Sequence, residues 1–205
     1  VPHGNYTGGV NAAYRIRYQD RLILAGIPGE PTKVLVSGRY PDQERFDWYS
    51  GGGSVNIEPD SGQNITGLGI HQEKIVVFKE NSVWQVLLSQ IQFGSYLILE
   101  PQDKLLTASQ GSSSHRAIVP VENDLMFANR KGIYILRYEP QLLNVINANE
   151  ISAKIRPFFE GKTDTDLTTC AAAYLDKKYV LSFPISKETI VFDRERLAFV
   201  GPWDT

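Results

Sequence analysis

The stretch from residue 74 to residue 88 reads KIVVFKENSVWQVLL, which is two apolar runs separated by the polar turn Glu80-Asn81-Ser82. The runs are four and six residues long and rich in β-branched and aromatic residues. Runs of this length are typical of strands and too short for helices. A polar, turn-forming break between two such runs predicts a β-hairpin.

The same pattern recurs along the whole chain in four groups of four apolar runs joined by polar turns. The second run of each group begins, in chain order, at Leu22, Ile75, Leu125 and Tyr179. The intervals between these positions are 53, 50 and 54 residues. The fourth and weakest run of each group lies at Phe46–Tyr49, Tyr96–Leu99, Leu143–Ile146 and Leu197–Val200. A repeat of about 40–50 residues with four strands per unit is typical of propeller blades.

We therefore predict an all-β chain that forms a β-propeller of about four four-stranded antiparallel blades, either complete or part of a larger propeller. A single four-stranded meander cannot bury both of its faces, whereas stacked blades cover one another. The alternative fold is a β-sandwich, whose strands are also short and antiparallel. The chain begins at Val1 without a methionine, so residues 1–205 are predicted to be one propeller domain or a segment of a longer chain.

One stretch departs from the strand pattern and predicts a short helix near residues 149–156. Its apolar residues follow the spacing i, i+4, i+7 and i+8, which places them on one helical face. They are Ile151, Ile155, Phe158 and Phe159. Pro157 is expected to end this helix, because proline disrupts a helix interior. Residues 161–168, which follow, are rich in polar residues and are expected to form a surface loop.

The net charge of -2, from 21 basic and 23 acidic residues, argues against a dedicated binder of nucleic acid or of anionic membranes, which usually carries a basic excess. No run approaches the roughly 18 consecutive apolar residues of a membrane span, so no membrane partner is predicted. The one cysteine, Cys170, cannot form an internal disulfide or a multi-cysteine zinc site.

The residue patterns of the common catalytic and cofactor sites are absent from the sequence. The three histidines have no ligand spacing, and the string 163–166 lacks the glycine and glutamate of a calcium loop. We interpret the two aspartates of that string as solvated turn residues. Cys170 is interpreted as a buried small residue, and Ser112–His115 places hydroxyls beside an imidazole in sequence only. The sequence therefore predicts no enzyme, no cofactor and no catalytic or metal-binding residues.

Aromatic residues outside the predicted core are the remaining candidates for a site. Trp48 and Tyr49 lie on a predicted outer strand just before a triple glycine, and Trp203 lies near the end of the sequence. Aromatic side chains in such positions can anchor a protein contact. In a second interpretation Trp48, Tyr49 and Trp84 stack on sugar rings, and the chain is a carbohydrate-binding or glycan-degrading propeller. In a third interpretation the chain is a general protein-interaction propeller of cellular origin.

Several strings together resemble the propeller-type virion proteins of tailed bacteriophages and prophages, of the kind found in tail hubs and nozzles. They are Arg21–Gly26, Val34–Ser37, Ile65–Leu68, Lys74–Trp84, Asn123–Phe127, Gly132–Tyr134, Ile151–Ser152 with Ile155, and Tyr179–Pro184. The resemblance spans nearly the whole chain, and its motifs describe blades, which also occur in unrelated proteins. Members of this family are usually longer, which favours a partial propeller.

This resemblance implies a structural subunit without catalytic residues, made in the bacterial host cytoplasm and located in the virion tail. The implied partners are other copies of the chain in a cyclic homo-oligomer and neighbouring tail or portal-side proteins. DNA would pass through the ring without specific binding, and the mild acidity of the chain suits such a channel because basic residues would bind phosphates.

Overall fold

A computed structural model describes residues 10–47, 49–94, 96–139 and 145–204. Within these ranges the chain forms four antiparallel four-stranded sheets, each with its strands in sequence order. Sheet 1 contains β1 (Tyr14–Tyr18), β2 (Arg21–Ile27), β3 (Glu30–Val36) and β4 (Gly53–Asn56). Sheet 2 contains β5 (Ile65–His71), β6 (Lys74–Lys79), β7 (Val83–Phe93) and β8 (Tyr96–Thr107). Sheet 3 contains β9 (Val119–Val121), β10 (Asp124–Asn129), β11 (Gly132–Glu139) and β12 (Val145–Glu150). Sheet 4 contains β13 (Ala171–Leu175), β14 (Lys178–Phe183), β15 (Glu188–Asp193) and β16 (Ala198–Asp204). The predicted all-β class and the four repeated meanders are confirmed.

The turn between the first and second strand of each sheet is tight and polar, as the sequence predicts. These turns contain non-glycine residues with positive φ, which short polar side chains or a tight hairpin can accommodate. The positions include Gln19 (φ 52°), Glu73 (57°), Glu122 (55°) and Lys177 (60°). All four are two-residue turns, so the first two strands of each meander pair right up to the turn.

The apolar core lies in three layers, one between each pair of consecutive sheets. Sheets 1 and 2 enclose Ile23 and Val77, sheets 2 and 3 enclose Phe78 and Phe127, and sheets 3 and 4 enclose Tyr179. The outward face of sheet 1 is covered by residues outside its strands. Ala12 and Phe46 pack there against Leu24 and Leu35. Sheets 2 and 3 therefore bury both of their faces against a neighbouring sheet.

The spacing between sheets 2 and 3 depends on a glycine in the first strand of sheet 2. A Cβ atom on Gly67 would lie 2.4 Å from the Cδ1 atom of Ile118 and 3.1 Å from the Cα atom of His115. A Cβ atom here would have to displace the end of the Ile118 side chain and would crowd the His115 backbone, so glycine suits this close approach.

The predicted short helix is present, but it begins a few residues later than residue 149. Strand β12 continues to Glu150, which pairs with Tyr134, and a 3₁₀ helix follows at Ala153–Ile155. Helix α1 occupies Arg156–Glu160 with Pro157 in its first turn. Proline is well suited to that position, because the first-turn N–H has no partner within the helix. The proline therefore begins this helix, and Phe159 anchors it in the core with no exposed surface.

Residues 161–168, expected to form a loop, contain most of a second helix, α2 (Asp164–Thr169). The Thr163 side chain accepts a hydrogen bond from the Asp166 backbone N–H, and the Asp166 carboxylate accepts one from the Thr163 N–H. This reciprocal pair is a capping box. The signal was present in the sequence as a threonine followed three residues later by an acidic residue.

The fourth strand of the first group also differs from the prediction at Phe46–Tyr49. The strand that pairs with β3 is β4, seven residues later, and Phe46 instead covers the outward face of sheet 1. The Asp47 carboxylate accepts a hydrogen bond from the Ser50 N–H at 2.9 Å, which closes a turn. Short polar side chains compete with strand pairing in this way.

A fully buried lysine ties sheet 2 to the segment that follows sheet 1. The Lys79 side chain has no exposed surface, and its Nζ donates to the carbonyl oxygens of Ile57 and Glu58 and to the Oγ of Ser61 at 2.9, 2.9 and 2.6 Å. Burial lowers the pKa of this ammonium, while Glu58 and Asp103 raise it.

We expect Lys79→Met to lower the free energy of unfolding by about 2 kcal/mol, because it leaves buried acceptors without donors. Lys154→Met, at an exposed position, is the matched control and should change stability by less than about 0.5 kcal/mol. Urea denaturation followed by circular dichroism measures both. Equal stability of the Lys79 variant and the unsubstituted protein would contradict the assigned role.

Candidate functional site

A large cleft lies where the first strands of the four sheets begin. It has a volume of about 950 Å³ and is lined by residues from β1, from β5 and from the segments just before β9 and β13. The lining includes Tyr14, Thr66, His115, Arg116 and Thr169. Because all four repeats contribute, this is the place in the described structure where a shared site could form.

The imidazole in this cleft is held in position by the fold. The His115 Nδ1 accepts a hydrogen bond from the Leu68 N–H at 3.3 Å, and the ring packs on the Tyr14 ring with centroids 5.1 Å apart. Burial, and secondarily the charge of Arg116, lowers the pKa of His115. An imidazole that is neutral and already accepts at Nδ1 presents its proton on Nε2.

The serines beside this histidine do not form a nucleophile pair with it. The Ser112 Oγ donates to the carbonyl oxygens of Ser114 and Ala128, and the Ser114 Oγ donates to the carbonyl oxygen of Cys170 at 2.8 Å. A serine nucleophile needs its hydroxyl directed at a base. These hydroxyls instead tie the segment before β9 to its neighbours.

Cys170 is buried, as the sequence predicts, with 1% of its surface exposed. It caps α2 just before β13, and its Sγ donates to the Leu167 carbonyl oxygen at 3.1 Å. Burial raises the pKa of the thiol to about 12. The group is therefore protonated at neutral pH and chemically inert, since only the thiolate is a good nucleophile.

An ion-pair network lies at the turns that follow β9 and β15 and joins sheets 3 and 4. Arg194 donates to the carboxylates of Glu122 and Asp124, at 3.0 Å each. Arg137 lies 3.3 Å from the same Asp124 oxygen, and the Tyr174 hydroxyl donates to Glu122 at 3.0 Å. Both carboxylates are therefore paired with guanidinium groups, and these ion pairs join the edges of sheets 3 and 4.

His71 lies at the end of β5 with only 2% of its surface exposed, and its Nε2 has no hydrogen-bond partner within the described structure. Burial lowers the pKa of His71 below its ordinary value of 6.5, Lys74 lowers it further, and Asp124 opposes the shift. The unfolded chain therefore takes up a proton at a higher pH than the folded chain does. This difference makes folding weaker as the solution becomes more acidic.

We expect the free energy of unfolding to have its full value above pH 6.5 and to fall as the pH drops below 6.5. His71→Leu should flatten this decrease in part, and the remainder should come from His115, whose pKa is shifted in the same direction. Asp166 and Asp193 have lowered pKa values, so their protonation lowers the free energy of unfolding only in more acidic solution. Denaturant titrations at several pH values measure the effect, and an unchanged slope in the variant would count against it.

The two aspartates of the 163–166 string are not equivalent. Asp166 is 4% exposed, and its carboxylate also accepts from the Ser186 N–H at 3.0 Å, so its interpretation as a solvated turn residue is wrong. Asp164 is exposed and pairs with Arg130. Among the described residues, no group of three or more histidine, cysteine, aspartate or glutamate side chains could hold a metal ion.

Of the three predicted contact aromatics, the structure describes the side chain of Tyr49. Trp48 lies outside the described residues. Tyr49 is 77% exposed and lies in a turn between β3 and β4, whereas the sequence predicted an outer strand. Trp203 lies in β16 opposite Thr189, and its side chain lies outside the described part. Trp84, invoked for sugar stacking, packs against the core between sheets 1 and 2 and donates its indole N–H to Ser82.

Two apolar surfaces that the sequence analysis missed are more prominent. The first is an arm formed by residues 87–102 at the end of the β7–β8 hairpin, where Leu87 and Ile91 are 40% and 41% exposed. The second is the face of sheet 4 that points away from sheet 3, where Leu175 and Val200 are 68% and 40% exposed; we call it the open face. A signal for the arm was present in the sequence, because Glu100 is the only charged residue between 87 and 102.

Comparison with protein-family models finds no match to this chain, and comparison with curated proteins finds none either. None of the helices in the described part of the chain is long and apolar enough to cross a membrane.

Proposed function

We propose that this chain is a structural virion protein of a tailed phage, part of a hub, nozzle or neck ring that is held together by protein contacts. In this proposal the four sheets are blades of a β-propeller, complete or partial. Copies of the chain form a cyclic homo-oligomer that docks neighbouring tail or portal-side proteins. The observation that carries the proposal is the exposed apolar surface of the arm and the open face, because patches of this kind commonly mark protein interfaces.

The packing of the sheets supports the propeller part of the proposal. Consecutive meanders pack face to face in chain order, and their first strands begin around one common cleft. Both features are expected when blades are arranged around an axis with the first strand of each blade innermost.

The chemistry of the described side chains supports a structural role. The groups most suited to catalysis, which are the cysteine, the buried histidines and the paired carboxylates, are held in hydrogen bonds, ion pairs or apolar packing that join one sheet to the next. The resemblance of the strings quoted above to propeller-type virion proteins is what favours the tail in particular. The formal charge of -2 suits a ring through which DNA slides, since a basic lining would bind phosphates.

Electron microscopy of the purified protein, together with mass spectrometry of purified phage or prophage particles, tests the proposal. We expect closed rings of one size and the presence of the chain in the particle tail. A chain that stays monomeric in solution and is missing from the particles would overturn the proposal, and turnover in a glycan hydrolase screen would favour the carbohydrate alternative.

A further inference from the structure

We infer that a pocket between the ends of sheets 1 and 2 binds a phosphate group, either as inorganic phosphate or as the phosphate of a small monoester. The inference goes beyond the proposed function and does not depend on it. It rests on two arginines, Arg21 and Arg39, which line this pocket and have no carboxylate partner among the described residues.

The pocket lies where the turns that follow β1, β3 and β5 meet the start of the arm, and its volume is about 420 Å³. Arg21 is the first residue of β2 and lies on the same face as Ile23, which belongs to the core between sheets 1 and 2. Sites for small molecules usually have volumes of about 300–1,000 Å³. The pocket is therefore large enough for a phosphate with an organic group attached.

Arg21 is a buried cation whose hydrogen bonds leave its charge uncompensated. The residue is 5% exposed, and its Nη1 donates to the carbonyl oxygens of Ser37 and Gly51 at 2.5 and 2.6 Å. Its Nε and Nη2 have no acceptor in the described structure, yet they are not enclosed, because the one enclosed side-chain nitrogen or oxygen without a partner there is His71 Nε2. A buried charge is normally paired with an opposite one, so an anion in the pocket would complete the pairing.

A second arginine adds positive charge at the same place. Arg39 lines the pocket, and its charge, after the larger effect of burial, lowers the pKa of Arg21. Both guanidinium groups stay ionised at neutral pH all the same, so the two like charges repel each other. An anion between them replaces this repulsion by two attractions.

The fold holds the two arginines near each other. The Ser37 Oγ accepts a hydrogen bond from the Leu22 N–H and donates to the Gly38 carbonyl oxygen, at 2.8 Å each. These bonds tie the start of β2 to the segment that carries Arg39, whose carbonyl oxygen accepts from the Asp42 N–H at 2.7 Å. The backbone of the site is thus ordered before a ligand binds, which lowers the entropic cost of binding.

The other charged groups around the pocket do not offset the two arginines. Glu73 is the one carboxylate among the residues that line it, and the adjacent Lys74 carries the opposite charge. The carboxylates of the adjoining turns pair with arginines outside the pocket, in the pairs Asp20–Arg17 and Asp42–Arg45. The residues that line the pocket therefore have an excess of two positive charges.

Two guanidinium groups match a phosphate better than a carboxylate. A carboxylate has one charge and two oxygens, which a single bidentate guanidinium satisfies. A phosphate group has a charge of about -1.5 to -2 at pH 7 and three strong acceptor oxygens. It can therefore accept from the free N–H groups of Arg21 and from Arg39 at the same time.

Isothermal titration calorimetry of the full chain with inorganic phosphate at low ionic strength tests the inference. We expect saturable binding that Arg39→Gln weakens at least about tenfold, because a charge-assisted contact is lost. Arg116→Gln is the matched control, because Arg116 is also exposed but lines the cleft at the other end of β1. The control should bind phosphate like the unsubstituted protein.

Two results of this titration would overturn the inference. One is an equal loss of affinity in Arg39→Gln and Arg116→Gln, because it would show that only the overall charge matters. The other is the lack of saturable binding by the unsubstituted chain at millimolar phosphate.

Conservative variants keep the test independent of folding defects. Arg39→Lys keeps the charge and should retain more affinity than Arg39→Gln. Arg21→Lys also keeps the charge and can still donate to a carbonyl oxygen, but it lacks the planar fork of a guanidinium. It should weaken binding while the circular dichroism spectrum stays that of a folded protein, and full affinity in this variant would count against the inference.

Three further ligands identify the source of the phosphate group. Tighter binding of ribose 5-phosphate than of inorganic phosphate would assign a monoester and equal affinities would assign free phosphate, and both results support the site. Acetate that binds as tightly as phosphate would overturn the choice of ligand. So would a single-stranded oligonucleotide that binds more tightly than phosphate and loses this binding in Arg39→Gln.

These outcomes are distinct from those that test the proposed function. A chain that binds phosphate but never forms rings would support the site and refute the ring. A chain that forms rings but binds no phosphate would refute the site and leave the ring proposal standing.

Discussion

Replacing Tyr179 by alanine should lower the free energy of unfolding by about 4 kcal/mol, which is typical for removing a buried aromatic ring. Tyr179 has no exposed surface and lies on β14 in the core between sheets 3 and 4. Its hydroxyl donates to the carbonyl oxygen of Ala117 at 2.9 Å, just before β9. The side chain therefore joins two sheets by packing and by a hydrogen bond at once.

Tyr179→Phe separates these two contributions, because it keeps the ring and removes only the hydroxyl. We expect this variant to lose about 1 kcal/mol, the usual net value of one hydrogen bond. Ile185→Ala, at a position of the same sheet that is 58% exposed, is the control and should lose less than about 0.5 kcal/mol. Guanidinium denaturation measures all three, and equal losses for the Phe and Ala variants would contradict the packing role.

Gly111→Ala is the second substitution with a large expected effect, a loss of about 3 kcal/mol from steric overlap. A Cβ atom at this position would lie 2.1 Å from the carbonyl oxygen of Lys79 and 2.7 Å from the carbonyl carbon of Glu80. These are backbone atoms, so no change of rotamer relieves the overlap. The segment is also fixed by the Ser112 N–H, which donates to the same Lys79 oxygen at 3.0 Å.

Gly29→Ala is the matched control, because a Cβ atom there meets nothing within 4 Å although φ is +81°. It should lose only about 1 kcal/mol, the conformational preference of glycine for positive φ. Thermal unfolding of the two variants measures the difference. Similar losses at both positions would show that close backbone contact at Gly111 is unimportant.

The sequence predicted most strands correctly because the information for them is local. Runs such as Ile75–Phe78 have the length and composition of strands, and their polar turns mark the hairpins. The prediction was wrong at Phe46–Tyr49, where an aromatic run resembles a strand but Asp47 closes a turn. It also placed the start of the short helix too early, because pairing with β11 extends β12 to Glu150. Pairing between strands is a tertiary contact that no local sequence pattern contains, and it sets the boundary between β12 and the helix that follows.

The candidate surfaces were harder to predict than the strands. Exposure of an aromatic depends on what packs over it, so the sequence could identify Tyr49, Trp48 and Trp203 only as candidates. The arm could have been found from its single charge, but its length depends on how far β7 and β8 pair beyond β6. The open face requires knowledge of which side of sheet 4 meets sheet 3.

The linear order of the sheets has a consequence for how the protein is made. Each meander is complete within its own stretch of chain and packs on the meander synthesised just before it. Contacts of this kind join each meander to its neighbour in the chain and allow folding to propagate from one unit to the next. On the ribosome, sheet 1 can fold first and serve as a template for sheet 2, so that assembly proceeds in the direction of translation.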